Sequence, residues 1–195
     1  MYFNLPTWIT WTRIIAIPFI VGVYFWPGAD TPTRNLWAAI LFVIFALTDW
    51  ADGYLARKLN QTSAFGAFLD PVADKFLVCA SLLTLMHLDR VHVVVALVII
   101  GREIAISALR EWMAMIGANR SVAVHMLGKL KTATQMVAIP LLLWHGPYSL
   151  LGLSVQQWGD VLIWLATLLT LWSMFYYLRK AIPVIQEQQR SDQSK

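Results

Sequence analysis

Cysteine occurs once in the 195-residue chain, at Cys79, so no disulfide within the chain can staple the fold. Set in an apolar run, that residue reads as small buried packing. Charge is also scarce: Asp, Glu, Lys and Arg make up 13% of residues, against the roughly 25% usual in soluble domains. No polar stretch is long enough for a separate soluble domain, and there is no internal repeat and no low-complexity tract. The net charge of +4 is spread along the chain without a dense basic block or a nucleic-acid motif, which argues against nucleic acid as a partner. The clustered Cys and His that hold zinc are missing as well. The first apolar stretch has neither a charged n-region nor a small-residue cleavage site, so it is expected to stay as a membrane helix.

What fills the chain instead is apolar. Hydrophobic residues make up 58% of it, mean hydropathy is +0.61, and ten tryptophans suit a membrane–water interface. A spanning helix needs about 20 mostly apolar residues. Six stretches qualify, at roughly 8–26, 34–56, 66–88, 91–116, 122–145 and 157–178, separated by short connectors such as "PGADTPT" and "NQTS". The expected fold is therefore all-α: one polytopic membrane domain over 1–195, with an interfacial start at 1–7 and a mobile polar tail at 183–195. Arg57, Lys58, Arg120, Lys129, Lys131, Arg179 and Lys180 collect on one side of that arrangement, while the other side has only Arg34 and Arg90. The basic side should be cytoplasmic, with both termini there.

Against this background, residues 48–76 read "TDWADGYLARKLNQTSAFGAFLDPVADKF". Asp49 and Asp52 are three apart near the end of the second helix, and Asp70 and Asp74 are four apart near the start of the third. Each pair shares a helical face. A hairpin between the two helices brings the pairs to the same depth. Four carboxylates in a poorly hydrated site raise one another's pKa and need compensation. Hard oxygen ligands of this kind suit Mg²⁺ or Mn²⁺, and two ions sharing carboxylates form a template for phosphoryl chemistry. Gly53 and Gly66 leave room for a ligand or a neighbouring helix to approach. Lys75 adjoins Asp74 but points to another face of its helix. Ionisable residues inside a membrane are costly and usually functional.

The stretch reads D-x-x-D-G-x-x-A-R-x8-G-x-x-x-D-x-x-x-D, filled by Asp49, Asp52, Gly53, Ala56, Arg57, Gly66, Asp70 and Asp74. It resembles, at every fixed position, the signature of the CDP-alcohol phosphotransferases. "FNLPTWITWTR", "GREIAISALREWMA" and "SVAVHMLGKLKTATQM" look like the branch that makes phosphatidylglycerophosphate, and the resemblance runs from about residue 2 to 180. It implies a six-helix membrane enzyme of the bacterial inner membrane, usually a homodimer, with a site open to the cytoplasm. Such an enzyme moves the phosphatidyl group of CDP-diacylglycerol to an alcohol and releases CMP. The resemblance further implies that Asp49, Asp52, Asp70 and Asp74 hold two divalent metals, with Asp74 as general base. Asp49, Gly53, Ala56, Arg57 and Gly66 then contact the CDP moiety.

The motif leaves the acceptor open. A phosphorylated one, such as sn-glycerol 3-phosphate, needs cations near the metals, and Arg102, Arg110, Lys129 and Lys131 are the candidates. Glu103 and Arg110, seven apart, form a candidate pair on one face, and Glu111 and His125 are further residues of interest on the basic side. His87, His92 and His145 fall on the other side, in interfacial positions. Serine or inositol phosphate are alternative acceptors. A cation transporter is a more distant alternative that predicts broken helices at the midplane and a repeat.

Overall fold

The computed structural model describes residues 15, 17–59, 64–116 and 126–193, without the side chains of residues 49–71, 74, 127, 150 and 187–193. The chain opens with α1 (residues 17–22), which tightens into a 3₁₀ turn at Val23–Phe25. Four helices follow: α2 (Thr31–Leu59), α3 (Ala64–His87), α4 (Val93–Met115) and α5 (Met126–Trp144). A two-stranded hairpin, β1 (Ser149–Leu150) and β2 (Leu153–Ser154), then leads into the long α6 (Val155–Gln193).

These helices fall on the apolar stretches of the sequence, with two differences. α6 continues to Gln193 rather than ending near 178, so the stretch read as a polar tail from 183 is helical backbone. Gln, Glu and Arg are good helix formers and carry the helix past Pro183. Where the sequence predicts six spans, two windows are long and apolar enough by themselves among the described residues, 31–48 in α2 and 155–186 in α6. α4 has the length, but Arg102, Glu103 and Arg110 interrupt its apolar course. Those charges turn inward, as described below.

Each helix buries one stripe. In α4 it is Val95, Ile99, Arg102, Ile106 and Met113, at helical spacing. In α5 the stripe runs from Lys131, Thr134 and Gln135 into Ala138, Ile139, Leu142 and Leu143, polar at one end and apolar at the other. In α6 it is Ile163, Ala166, Thr167, Thr170, Ser173 and Tyr177. Small side chains let α6 lie close to α5, and the α5–α6 pair is the most extensive helix contact. A Cβ at Gly159 would sit 2.7 Å from the side chain of Leu142. The hydroxyls of Thr167 and Ser173 are satisfied within α6, donating to the carbonyls of Ile163 and Thr170.

Two apolar clusters result. The larger joins α1, α2, α3, α4 and α5 around Phe42, Leu82, Ile99 and Leu142. The smaller gathers Ile106, Met113 and Tyr177 with Trp112 and Met174 around them. Buried polar residues of α4, α5 and α6 occupy the layer between the two clusters. The outward faces are also apolar: Leu97, Ile104, Leu168, Trp172 and Phe175 are all well over half exposed. Large apolar side chains repeated along helix surfaces need a lipid or protein environment.

At the end carrying residues 88–92 and 145–154, the two far-side arginines are structural. Arg90 donates through Nη1 to the carbonyls of Leu142 and Leu143, at 3.1 and 2.8 Å, and through Nη2 to Asn35 Oδ1 at 2.9 Å. It thereby caps the last turn of α5 and ties it to α2. Burial lowers the Arg90 pKa, and Tyr24 beside it opposes the shift. Arg34 donates to the carbonyls of Tyr24 and Trp26, at 3.2 and 2.8 Å, fastening the end of the 3₁₀ turn to α2. His92 is the N-cap of α4, its Nδ1 accepting from the Val94 amide at 3.3 Å. The hairpin turns at Leu151 and Gly152, both at positive φ, the backbone that a two-residue type I′ turn requires.

Candidate active site

The signature aspartates lie on two successive helices. Asp49, Asp52, Gly53, Ala56 and Arg57 belong to the second half of α2; Gly66, Asp70 and Asp74 belong to the first half of α3. Their side chains lie outside the described residues, so the backbone alone speaks for them. Only residues 60–63 separate the two helices, which holds Leu59 and Ala64 within about 18 Å of each other. Asp49 and Asp52, one helical turn apart, share a face, as do Asp70 and Asp74. Four carboxylates form a hard-oxygen donor set of the kind Mg²⁺ or Mn²⁺ takes. Among the described side chains no group of three His, Cys, Asp or Glu could hold a metal ion.

The cations on α4 and α5 are fully described, and three of the four candidates converge. Arg102 is 6% exposed and Lys131 is 2% exposed, so both ammonium and guanidinium groups are inside the bundle. Glu103 Oε1 accepts from Arg102 Nη1 at 3.3 Å and from Lys131 Nζ. The pairing of Glu103 with Arg110 expected from their seven-residue spacing is replaced by these contacts. Two helical turns separate that pair, about 10 Å along the axis, whereas Lys131 approaches from the neighbouring helix. Arg102 Nη2 also bonds Ser173 Oγ of α6 at 3.2 Å.

Arg110 takes a different partner. Its Nη2 donates to the Tyr177 hydroxyl at 2.9 Å, and its guanidinium carbon lies 5.0 Å from the centre of the same ring. Arg102 lies 5.8 Å from that ring centre, so both arginines make cation–π contacts with one fully buried tyrosine. No carboxylate pairs with Arg110 among the described residues, and the Nε groups of Arg102 and Arg110 have no protein acceptor there. Lys129 is exposed on another face of α5 and stays outside the cluster, as does exposed Glu111. His125 lies outside the described residues.

Arg102, Arg110 and Lys131, from two helices, thus stand together in the polar layer with one described carboxylate, Glu103, between two of them. Such a set can bind an anion. Two members of this cluster and one pairing within it are not evident in the sequence. Tyr177 and Ser173 sit in the apolar run of α6, and Glu103's partner is 28 residues away. The one signal pointing to α5 is periodicity: Lys131 and Gln135 are four apart, on the stripe that continues into Ile139 and Leu142. Lys75 fits the same picture. It lines a small cavity with Glu103 and Gln135, on the side of α3 that faces α4 and α5.

Comparison with known proteins identifies the family. A family model described as CDP-alcohol phosphatidyltransferase matches residues 3–172. Proteins named CDP-diacylglycerol–glycerol-3-phosphate 3-phosphatidyltransferase, from Escherichia coli strain K12, Salmonella typhimurium strain LT2 and Shigella flexneri serotype 5b, are each 49% identical to this chain over 183 residues. In each case the match covers 93% of this chain and 96% of the relative.

Proposed function

Since the chain belongs to the CDP-alcohol phosphatidyltransferase family, we propose that it transfers the phosphatidyl group of CDP-diacylglycerol to sn-glycerol 3-phosphate, giving phosphatidylglycerophosphate and CMP. The observation that carries this reading is the 49% identity to enzymes of that name over nearly the full length of both chains. The cluster of Arg102, Arg110 and Lys131 supports a phosphorylated acceptor, because Arg110 is held by the Tyr177 hydroxyl and pairs with no carboxylate among the described residues.

The reaction divides between the two halves of the site. Asp49, Asp52, Asp70 and Asp74 would hold divalent metal, which when bound would supply charge neutralisation for the diphosphate and for CMP as leaving group. Gly53, Ala56, Arg57 and Gly66, with Asp49, receive the CDP moiety, the glycines admitting it close to the backbone. Arg110, Arg102 and Lys131 hold the acceptor's phosphate, and exposed Lys129 belongs at the rim. Asp74 takes the proton of the acceptor hydroxyl as its oxygen attacks the phosphorus that bears diacylglycerol. The bond from that phosphorus to the CMP oxygen breaks, and CMP leaves with the electron pair. Orienting both substrates in one cleft makes this attack effectively unimolecular. The lipid tails stay in the bilayer throughout.

The enzyme is proposed to work as a homodimer in the bacterial inner membrane, with both termini and the site on the cytoplasmic side, where Arg57, Lys58, Arg179 and Lys180 gather. Purified protein in detergent, supplied with CDP-diacylglycerol, Mg²⁺ or Mn²⁺ and a panel of alcohols, should release CMP with glycerol 3-phosphate. Release only with serine or inositol phosphate would move the acceptor, and release with none would overturn the reading. Asp70→Asn and Asp74→Asn should each lower turnover by at least about 10²-fold while the protein still elutes as folded. Near-normal turnover in either would remove that aspartate from its proposed role.

A further inference from the structure

We propose that Glu103 is a positioning residue of the acceptor half of the site: its carboxylate holds Lys131 and Arg102 in the arrangement that receives the acceptor's phosphate. This rests on the acceptor reading above. One oxygen, Oε1, accepts from cations on two different helices, Arg102 of α4 and Lys131 of α5. The side chains of all three are largely buried, at 7% exposure for Arg102, 3% for Lys131 and 17% for Glu103. A lysine ammonium on a flexible four-carbon stem has no intrinsic direction and needs a fixed partner to present it. In a buried layer that partner must also be an anion, since an uncompensated internal charge is strongly unfavourable.

The surroundings of Glu103 give it a second connection. Beside its carboxylate is a cavity of about 40 Å³ bounded by Lys75, Val78, Thr132, Gln135 and Met136. That is enough for a water molecule, which takes at least about 10–15 Å³. Gln135 is 2% exposed, and its Nε2 has no acceptor among the described residues. Lys75 is the residue after Asp74. Glu103 therefore stands between the cations of α4 and α5 and the helix that carries Asp70 and Asp74. Arg110 is held by Tyr177, and Arg102 is held also by Ser173 and the Tyr177 ring, so loss of the Glu103 charge should shift Lys131 most and leave Arg110 in place.

The experiment is a double-mutant cycle on the full-length enzyme in detergent, with Glu103→Gln, Lys131→Gln, the double variant, and Glu103→Asp as the conservative replacement. Glu103→Gln should raise KM for glycerol 3-phosphate on the order of 10- to 100-fold. KM for CDP-diacylglycerol should stay within about twofold, since the nucleotide half of the site is untouched. Glu103→Asp should recover part of the acceptor KM. Because Glu103 acts through Lys131 and Arg102, the double variant should bind acceptor worse than Lys131→Gln alone by much less than the full Glu103→Gln factor. Multiplying effects in the double variant, or equal changes in both KM values, would overturn the positioning role. So would failure of both Glu103 variants to elute as folded protein, which would make the contact one of stability alone. Absence of glycerol 3-phosphate-dependent CMP release from the wild type is a separate result: it overturns the acceptor reading itself, and this role with it.

Discussion

Arg90 shows how one side chain can complete the cap that a helix's backbone begins. The last carbonyls of a helix have no partner inside it, and glycine-led caps or water usually supply one. Here a guanidinium from the α3–α4 connection reaches the carbonyls of Leu142 and Leu143 and keeps another nitrogen for Asn35. The residue that follows α5, His145, takes positive φ and its amide donates to the Leu141 carbonyl at 3.1 Å, which leaves the carbonyls of Leu142 and Leu143 to Arg90. Arg90→Met keeps much of the side-chain bulk and removes all three bonds. It should lower stability by about 2–3 kcal/mol, measured as a fall in unfolding midpoint in detergent. Turnover at saturating substrates should be unchanged at temperatures where the variant is folded, since Arg90 lies at the opposite end from the candidate site. A lysine at 90 should recover little of the loss, because an ammonium cannot span two carbonyls and an amide oxygen in one plane.

Between elements, the tightest constraint is where α5 crosses α6. Gly159 has no Cβ because the position is taken by Leu142, which is itself fully buried. Gly159→Ala should destabilise the protein by about 1–3 kcal/mol through overpacking. Combined with Leu142→Ala, its penalty should largely disappear, giving a clear non-additive term in the cycle of unfolding midpoints. How far the sequence reveals such contacts depends on their range. Apolar runs bounded by turn residues place the helices well, and the aspartate spacing puts each pair on one face. Within α5, however, Lys129 and Lys131 are two residues apart and so nearly opposite around the axis. Which one turns inward depends on where α4 and α6 lie, and that is decided by contacts such as Gly159 against Leu142. Glu103 presents the same difficulty: a spacing rule offers Arg110 on its own helix, while the fold supplies Lys131 from the next. Tyr177 is hidden for another reason, since an aromatic in the apolar course of α6 carries no sign that its hydroxyl is used.

For the molecule as a whole, the polar layer is enclosed by two apolar clusters and an apolar exterior, so Arg102, Glu103, Arg110 and Lys131 face each other and not the surroundings. This is the arrangement expected when ionisable groups must work at membrane depth. Sidedness can be tested with introduced cysteines in a Cys79→Ala background. Leu151→Cys, at the 85% exposed tip of the hairpin, should react with an impermeant maleimide in cells whose outer membrane alone is opened. Ser194→Cys should react only after the inner membrane is broken. The reverse pattern would invert the proposed topology. The Arg90 cap also bears on how the chain is assembled in time. Its bonds to α5 span 52 and 53 residues of sequence, so they cannot exist while α3 and α4 are the newest helices made. Until α5 has been synthesised and has folded against α2, the arginine lacks its carbonyl partners. Completion of this end of the bundle is thus a late event in biogenesis, set by the arrival of the fifth helix and not by the order in which the first four are inserted.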